Sequence, residues 1–295
     1  MSLLSNTQGS PERVWSALAG LATFGEQSRT ELESLLNPGS LKAGVGTLVN
    51  IANVRQVISA ASSLGGVDRD GSSVSTNVGD AVIDQPSMSD WMHDVLCGLD
   101  TEMKDSVVLE TYAWVIARSA QTGSMSWLHE LSTDAFADQA AAGLVGDDDD
   151  GGKKINKEKI VAWRRWLVFL GLAAPMPASW PAHYSPVARI CRELQRANVQ
   201  GSTHSADEFL SILSARMPYV DRGRLYIQAC KRVSQPPVPR QLSPVLSAAL
   251  RELHDEGILD LQEVGDSPDV LGLSPDPTHP KKEFVRVAVA ARAPS

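Results

Sequence analysis

The chain has 295 residues, 43% of them hydrophobic and only 5% aromatic, and its net charge is -8. This length fits two or three domains of ordinary size, and a composition rich in Ala and Leu favours helices over extensive sheet. Three cysteines without a Cys-x-x-Cys spacing argue against a disulfide framework or a zinc site. There is no signal-peptide pattern and no apolar run that could span a bilayer, so we expect a cytoplasmic protein without membrane contact.

Charge is distributed unevenly along the chain. Residues 71–152 hold 15 acidic and 2 basic side chains, whereas residues 153–203 hold 9 basic and 2 acidic ones. Binding to an anionic partner depends on the local field rather than on the summed charge. The segment 153–203 is therefore the first place to expect contact with an anion.

The first predicted module, residues 1–78, has the order helix, helix, helix, hairpin. A cap at Ser10–Pro11 begins the first helix, and a capping box at Ser28–Glu31 begins the second. Apolar residues at helical spacing over 51–61 predict the third helix. Residues Val67–Thr76 then alternate around an Asp-Gly turn, which predicts a hairpin. This order is that of a winged helix.

The second predicted module spans residues 79–203. Its acidic part predicts helices at roughly 87–100, 105–120 and 126–144, followed by an acidic linker. A basic helix is predicted at 156–170. A proline-rich stretch follows where a winged helix would have its hairpin, so the pattern is weaker here.

The third predicted module spans residues 204–295. A capping box at Ser205–Glu208 and a cap at Ser243–Pro244 begin two of its helices, and Phe284–Val289 alternates like a return strand. The last helix is acidic, which favours protein contacts or a homo-oligomer through this module. The lysines at 281 and 282 could still reach a nucleic-acid backbone. Taken together, the sequence predicts a mainly α fold with small β-hairpin wings, arranged as tandem winged-helix-like modules.

Motifs for catalysis or nucleotide binding are missing. The chain has no Rossmann glycine pattern, no phosphate loop and no nucleophile elbow. His93 and Cys97 lie one helical turn apart but supply only two of the four ligands that a structural zinc needs. Glu102 and Lys104, with Asp90 or Asp94 upstream, resemble part of a magnesium-dependent nuclease site, but such groups normally lie on strands. We therefore expect a non-enzymatic protein without cofactor or metal, with a nuclease as a distant alternative.

Basic residues in the second module, with two in the first, are the candidate DNA contacts. In a winged helix the last helix enters the major groove while nearby cations neutralise phosphates. An equally weighted interpretation is a solvated helix surface without a partner. The candidates are Lys153, Lys154, Lys157, Lys159, Arg164, Arg165, Arg189, Arg192, Arg196, Arg55 and Arg69.

Several short segments carry a resemblance to a known family. They are Gly9–Trp15, Asn37–Ser40, Thr111–Trp114, Trp166–Leu172, Ser185–Arg189 and Leu250–Leu261. In these segments the chain resembles DpdG, an accessory protein encoded in bacterial gene clusters that place 7-deazaguanine derivatives in DNA. The resemblance implies a non-enzymatic component of a DNA modification and restriction system used in defence. Such a component would recognise DNA, or would join the other subunits of the complex as an adaptor.

Overall fold

A computed structural model describes residues 3–5, 8–38, 53–144, 152–176, 183–263 and 269–291. The fold is mainly helical with small antiparallel sheets. In chain order the helices are α1 (Pro11–Phe24), α2 (Arg29–Leu36), α3 (Val54–Ser63), α4 (Gln85–Gly98), α5 (Val107–Thr122), α6 (Trp127–Glu130), α7 (Thr133–Ala142), α8 (Lys157–Phe169), α9 (Val187–Arg196), α10 (Ala206–Arg216), α11 (Arg224–Arg232) and α12 (Pro244–Asp255). The strands are β1 (Gln27–Ser28), β2 (Val67–Asp70), β3 (Ser73–Thr76), β4 (Thr203–Ser205), β5 (Leu259–Gln262), β6 (Leu271–Gly272), β7 (Glu283–Phe284) and β8 (Arg286–Val289).

The chain forms two compact units. The first comprises residues 1–108 and 158–170, and the second comprises residues 109–157 and 171–295. These units do not coincide with the three modules predicted at 1–78, 79–203 and 204–295, because α8 belongs to the first unit and the residues after it belong to the second. The independence of the three modules as folding units remains a prediction. No helix among the described residues combines the length and the apolar character needed to cross a bilayer.

Local capping explains where the first helices begin. The Ser28 Oγ accepts from the backbone N–H of Glu31 at 3.3 Å, and the Glu31 carboxylate accepts from the backbone N–H of Ser28 at 2.7 Å, so the predicted capping box of α2 is confirmed. Asn53 caps α3 by accepting from the backbone N–H of Gln56 at 3.3 Å. Each bond satisfies a backbone donor that the first turn of a helix leaves unpaired.

A three-stranded antiparallel sheet with the order β1-β3-β2 completes this part of the first unit. The predicted hairpin is present, with Asp70 opposite Ser73 and a positive φ of 57° at Gly71 in the turn between them. The strand β1 pairs Gln27 with Val74. Residues 8–38 and 53–76 therefore run helix, strand, helix, helix, hairpin.

The second unit has an aromatic cluster in its helical part. Trp114 lies edge-on to Trp127 and Phe136, with ring centroids 5.5 and 5.6 Å apart, and Tyr184 stacks on Phe136.

The helix predicted at 126–144 is instead two helices, α6 and α7. The break is local, since the Ser132 side chain accepts from the backbone N–H of Ala135 and so begins a new helix.

The C-terminal part of the second unit contains a sheet with the order β4-β8-β5. The predicted capping box at Ser205–Glu208 and the predicted cap at Ser243 are both present. The leucines of α12 at 246, 250 and 253 are buried and form its inward face. The predicted return strand is β8, which pairs with β5 and with β4.

Candidate nucleic-acid interface

Three arginines surround one cleft on the first unit. Arg29 lies at the start of α2, Arg55 at the start of α3, and Arg69 in β2. The cleft has a volume of about 360 Å³, and its wall also includes Ile58 and Val74. A surface with an apolar floor and a cationic rim is suited to an anionic polymer, whose phosphates pair with guanidinium groups.

The local structure explains why these side chains converge. Arg29 directly follows the Ser28 cap, and Arg55 is the second residue of α3. Arg69 stands opposite Val74 in the hairpin register. Because side chains alternate across a strand, Asp68 and Asp70 point to the opposite face from Arg69. The acidic residues of the hairpin therefore do not share the face that Arg69 presents.

The cationic groups of the cleft differ in their contacts. The Arg69 guanidinium donates to Ser62 Oγ at 2.8 Å. Arg29 and Arg55 are exposed, and neither has an ion pair or hydrogen bond from its side chain within the described ranges. Two of the three guanidinium groups therefore have their donors turned to solvent.

The exposed face of α3 is polar. Arg55, Ser59 and Ser62 follow one another at the helical spacing of four and three residues, while Val57 and Ala61 on the other side are fully buried. Short hydroxyl side chains beside an arginine allow a helix to approach base edges closely. On α3 the cleft itself is lined by Arg55 and Ile58, and Ser62 contacts the cleft residue Arg69.

Most of the predicted lysines and arginines in residues 153–196 have acidic neighbours. In the second unit Lys153 pairs with Asp138 at 2.6 Å and Lys157 pairs with Asp134 at 3.0 Å. In the first unit Arg165 pairs with Glu12 at 2.9 Å. Exposed pairs of this kind contribute at most about 1 kcal/mol to stability, but each acid cancels much of the field of its cation.

Other predicted contacts are buried. Arg189 is only 1% exposed and donates to the Glu193 carboxylate at 3.2 Å, and the same carboxylate accepts from Arg196 at 2.8 Å and from Arg216 at 2.7 Å. Lys159 is 9% exposed. Arg189 and Lys159 are therefore buried in the structure, and their contact with DNA stays a prediction. Three further candidates, Lys154, Arg164 and Arg192, are half-buried.

The C-terminal basic residues are also engaged within the second unit. Lys281 pairs with Glu263 at 3.1 Å. Lys282 donates to the backbone carbonyls of Asp276 and His279. Arg251, on the acidic helix α12, is buried and donates to the carbonyl of Ser274 at 2.9 Å. These side chains secure the loop before β7 and leave an acidic exposed face on α12.

The residues weighed for metal or nuclease chemistry lie on helices and turns. His93 is buried on α4, and its Nε2 is 3.5 Å from Cys97 Sγ. Asp90 is buried on the same helix, and Glu102 lies in the turn that follows it. The strand placement that a nuclease site of this type normally has is not found for these residues.

The candidates predicted from the sequence include Arg55 and Arg69, but not Arg29, which lines the same cleft. The sequence does contain a signal for Arg29. This residue directly follows the Ser28 cap, and the first turn of a helix is a frequent site of phosphate contact. Arg29 does not belong to a cluster of basic residues, because no other basic residue lies nearby in the sequence.

The protein is thus mainly helical with small antiparallel sheets, and its first unit has an arginine-rich cleft. The model of the DpdG-like family matches residues 1–267, and the chain belongs to that family. Membership suggests involvement in a DNA modification system of the dpd type. No curated protein and no solved structure matches the chain.

Proposed function

We propose that the protein is a non-enzymatic, cytoplasmic DNA-binding subunit of a dpd-type modification system, and that the arginine cleft of the first unit holds the DNA. The observation that carries this proposal is the convergence of Arg29, Arg55 and Arg69 on one cleft. The cations of residues 153–196, in contrast, mostly have acidic partners or are buried.

The element order supports a winged helix as the binding module. Helix, strand, helix, helix, hairpin is the order in which a winged helix presents its recognition helix and wing. In this arrangement α3 enters the major groove with its N-terminal residues toward the bases. Arg55 is then placed for base or phosphate contact, and the hairpin carrying Arg69 follows the backbone.

An adaptor is the second candidate function, and the acidic face of α12 favours it. Glu252, Asp255 and Glu256 are exposed there, while Arg251 is buried. Helix, strand, helix and hairpin elements like those of the first unit also occur around α12. The acidic face of α12, however, repels phosphate. We assign it to protein contacts, either with other subunits of the system or with a second copy of the chain.

The proposal is tested by titrating duplex DNA into the full-length protein and measuring fluorescence anisotropy at about 50 and about 200 mM salt. Each phosphate contact releases counterions. If all three arginines contact phosphates, we expect the affinity for DNA to fall about 40-fold between the lower and the higher salt concentration. Affinity that is negligible at the lower salt, or independent of salt, contradicts DNA binding through this cleft.

A further inference from the structure

A groove on the second unit lies between α9, the turn that follows α12, and the end of β8. Its floor is apolar, because Leu194 and Val289 are buried there. Ile258 and Ala290 line its walls and are half-buried, so a ligand contacts them without rearrangement of the protein. The volume of the groove, about 310 Å³, is within the range of about 300–1,000 Å³ that is usual for small-ligand sites.

Two exposed carboxylates stand beside this groove. Glu252 and Glu256 are one helical turn apart at the C-terminal end of α12, so their side chains share one face. The turn that begins at Glu256 leads directly to Ile258 in the wall. Burial raises the pKa of the Cys191 thiol, which also lines the groove, to about 11, with further contributions from the charges of Glu256 and Glu252. Both carboxylates are therefore close enough to act on a ligand in the groove.

These two carboxylates lack a cation. Within the part of the chain that the structure describes, neither Glu252 nor Glu256 has an ion pair or a hydrogen bond to its side chain. Asp255, which lies between them in the sequence, instead contacts Nε2 of His279 at 3.1 Å. Two like charges at this spacing destabilise a helix, and the macrodipole favours a cation at its C-terminal end. A cation beside Glu252 and Glu256 relieves both effects.

An arginine side chain matches the apolar wall and the acidic rim together. Its aliphatic stem packs on apolar surface while its charged head stays at the rim, in contact with water. The planar guanidinium has five N–H donors and is less strongly hydrated than an ammonium, so it suits a pair of carboxylates better than lysine does. The exposed side-chain amides of Gln195 and Gln200 line the groove and are suited to main-chain groups of the same segment.

We propose that this groove binds an arginine side chain of a protein partner. The aliphatic stem lies against Ile258 and Ala290. The guanidinium pairs with the carboxylates of Glu252 and Glu256. The proposal deepens the second candidate function, on which it rests, because it names the site and the chemistry of the partner on the acidic face of α12. It does not depend on the arginine cleft, which lies on the first unit.

The proposal is tested by titrating the full-length protein, labelled with ¹³C in its isoleucine methyl groups, with N-acetyl-L-arginine methylamide at constant ionic strength. The Ile258 signal is identified by its disappearance in Ile258→Val. We expect this signal to move and to saturate. The citrulline analogue has nearly the same shape without the charge and should bind about fivefold more weakly. The lysine analogue should also bind more weakly than the arginine analogue.

Two single variants remove one charge each from neighbouring positions. Glu256→Gln removes a carboxylate beside the groove and should weaken the preference for arginine over citrulline. Asp255→Asn is the matched control and should leave this preference nearly unchanged, because its carboxylate contacts His279. The double variant Glu252→Gln/Glu256→Gln should abolish the preference without changing the affinity for the citrulline analogue.

An Ile258 signal that does not saturate with the arginine analogue overturns the proposal, as does equal or tighter binding of the citrulline or lysine analogue. If Asp255→Asn weakens arginine binding as much as Glu256→Gln, the cation is attracted by the acidic face as a whole. That result overturns the groove as its site but supports the assignment of this face to protein contacts. If a tri-arginine peptide also leaves the backbone amide signals of α12 unmoved, that assignment is contradicted as well.

Discussion

The guanidinium of Arg69 in the hairpin donates a hydrogen bond of 2.8 Å to Ser62 Oγ near the end of α3. This bond links the hairpin to the helix that we place in the major groove. Because a long side chain loses rotamer entropy when it binds, an arginine that is already held in place binds a phosphate at a lower entropic cost. The link therefore holds this cation in place ahead of the DNA contact that we propose.

Ser62→Ala should reduce DNA affinity by a factor of a few without changing the salt dependence. The substitution removes the anchor of Arg69 but no charge, so the number of counterions released is unchanged. Ser63→Ala is the matched control, since among the described residues the Ser63 hydroxyl donates to the Ala60 carbonyl of its own helix and not to the hairpin. Anisotropy titrations at several salt concentrations measure both quantities. Equal affinities of the two variants would show that the Arg69–Ser62 bond has no role in binding.

Glu193→Gln should destabilise the second unit by about 3–5 kcal/mol, the usual effect of breaking a buried ion pair. The variant removes the negative charge that pairs with the buried guanidinium of Arg189, and both side chains are only 1% exposed. Glu12→Gln is the control and should cost at most about 1 kcal/mol, since the pair of Glu12 with Arg165 is exposed. Urea unfolding followed by circular dichroism compares the two. A loss for Glu193→Gln no larger than that for Glu12→Gln would contradict the structural role of this carboxylate.

Gly143→Ala should also destabilise the second unit, by about 1–3 kcal/mol. A Cβ at this position would overlap the indole ring of Trp114, which is held in the aromatic cluster by Trp127 and Phe136. Gly98→Ala is the control because its Cβ would meet nothing within 4 Å. Thermal unfolding should show a lower midpoint for the first variant and an unchanged or higher midpoint for the second. A midpoint for Gly143→Ala equal to that of the wild type would mean that Trp114 can move aside.

Stability should depend on pH in opposite directions for two aspartates. Burial raises the pKa of Asp221, although Ser243 donates to its carboxylate through both N–H and Oγ–H. The unfolded chain releases this proton near pH 4 and the folded chain releases it only at higher pH, so the wild type loses stability relative to Asp221→Asn as pH rises through that interval.

The Arg222 guanidinium lowers the pKa of Asp207 below its ordinary value. This carboxylate stabilises the fold above the unfolded pKa, and the contribution is lost as pH falls through the folded pKa. The wild type should therefore gain stability relative to Asp207→Asn as pH rises. Urea unfolding of both variants between about pH 3 and pH 8 tests the pair. Each variant's free energy of unfolding is subtracted from that of the wild type and plotted against pH. If the two differences changed with pH in the same direction, the opposite pKa shifts of Asp221 and Asp207 would be contradicted.

Features that depend on interactions between residues close in the sequence could be predicted from the sequence. The caps at Ser28, Ser205 and Ser243 place helix starts correctly because each bond joins residues three positions apart. The hairpin was predictable for the same reason. In contrast, β1 and β4 are two and three residues long, and each is a strand only because it pairs with β3 or β8 far along the chain.

The candidate site was harder to predict. Charge density along the sequence pointed to residues 153–196, but tertiary contacts bury Arg189 beside Glu193 and give Lys153 an acidic neighbour. An Arg and a Glu four positions apart also occur on exposed helix surfaces, so the spacing does not reveal burial. Arg29 and Arg55 are brought together only by the packing of α2 and α3 around one cleft.

The most direct test of the central claim compares two triple variants that remove the same charge. One is Arg29→Ala/Arg55→Ala/Arg69→Ala in the cleft. The other is Lys153→Ala/Lys157→Ala/Lys281→Ala, whose lysines have acidic partners. We predict that the plot of log affinity for duplex DNA against log salt loses about 2.7 units of slope in the first variant and almost none in the second. A larger loss in the lysine variant, or equal losses in both, would contradict the assignment of DNA binding to the arginine cleft.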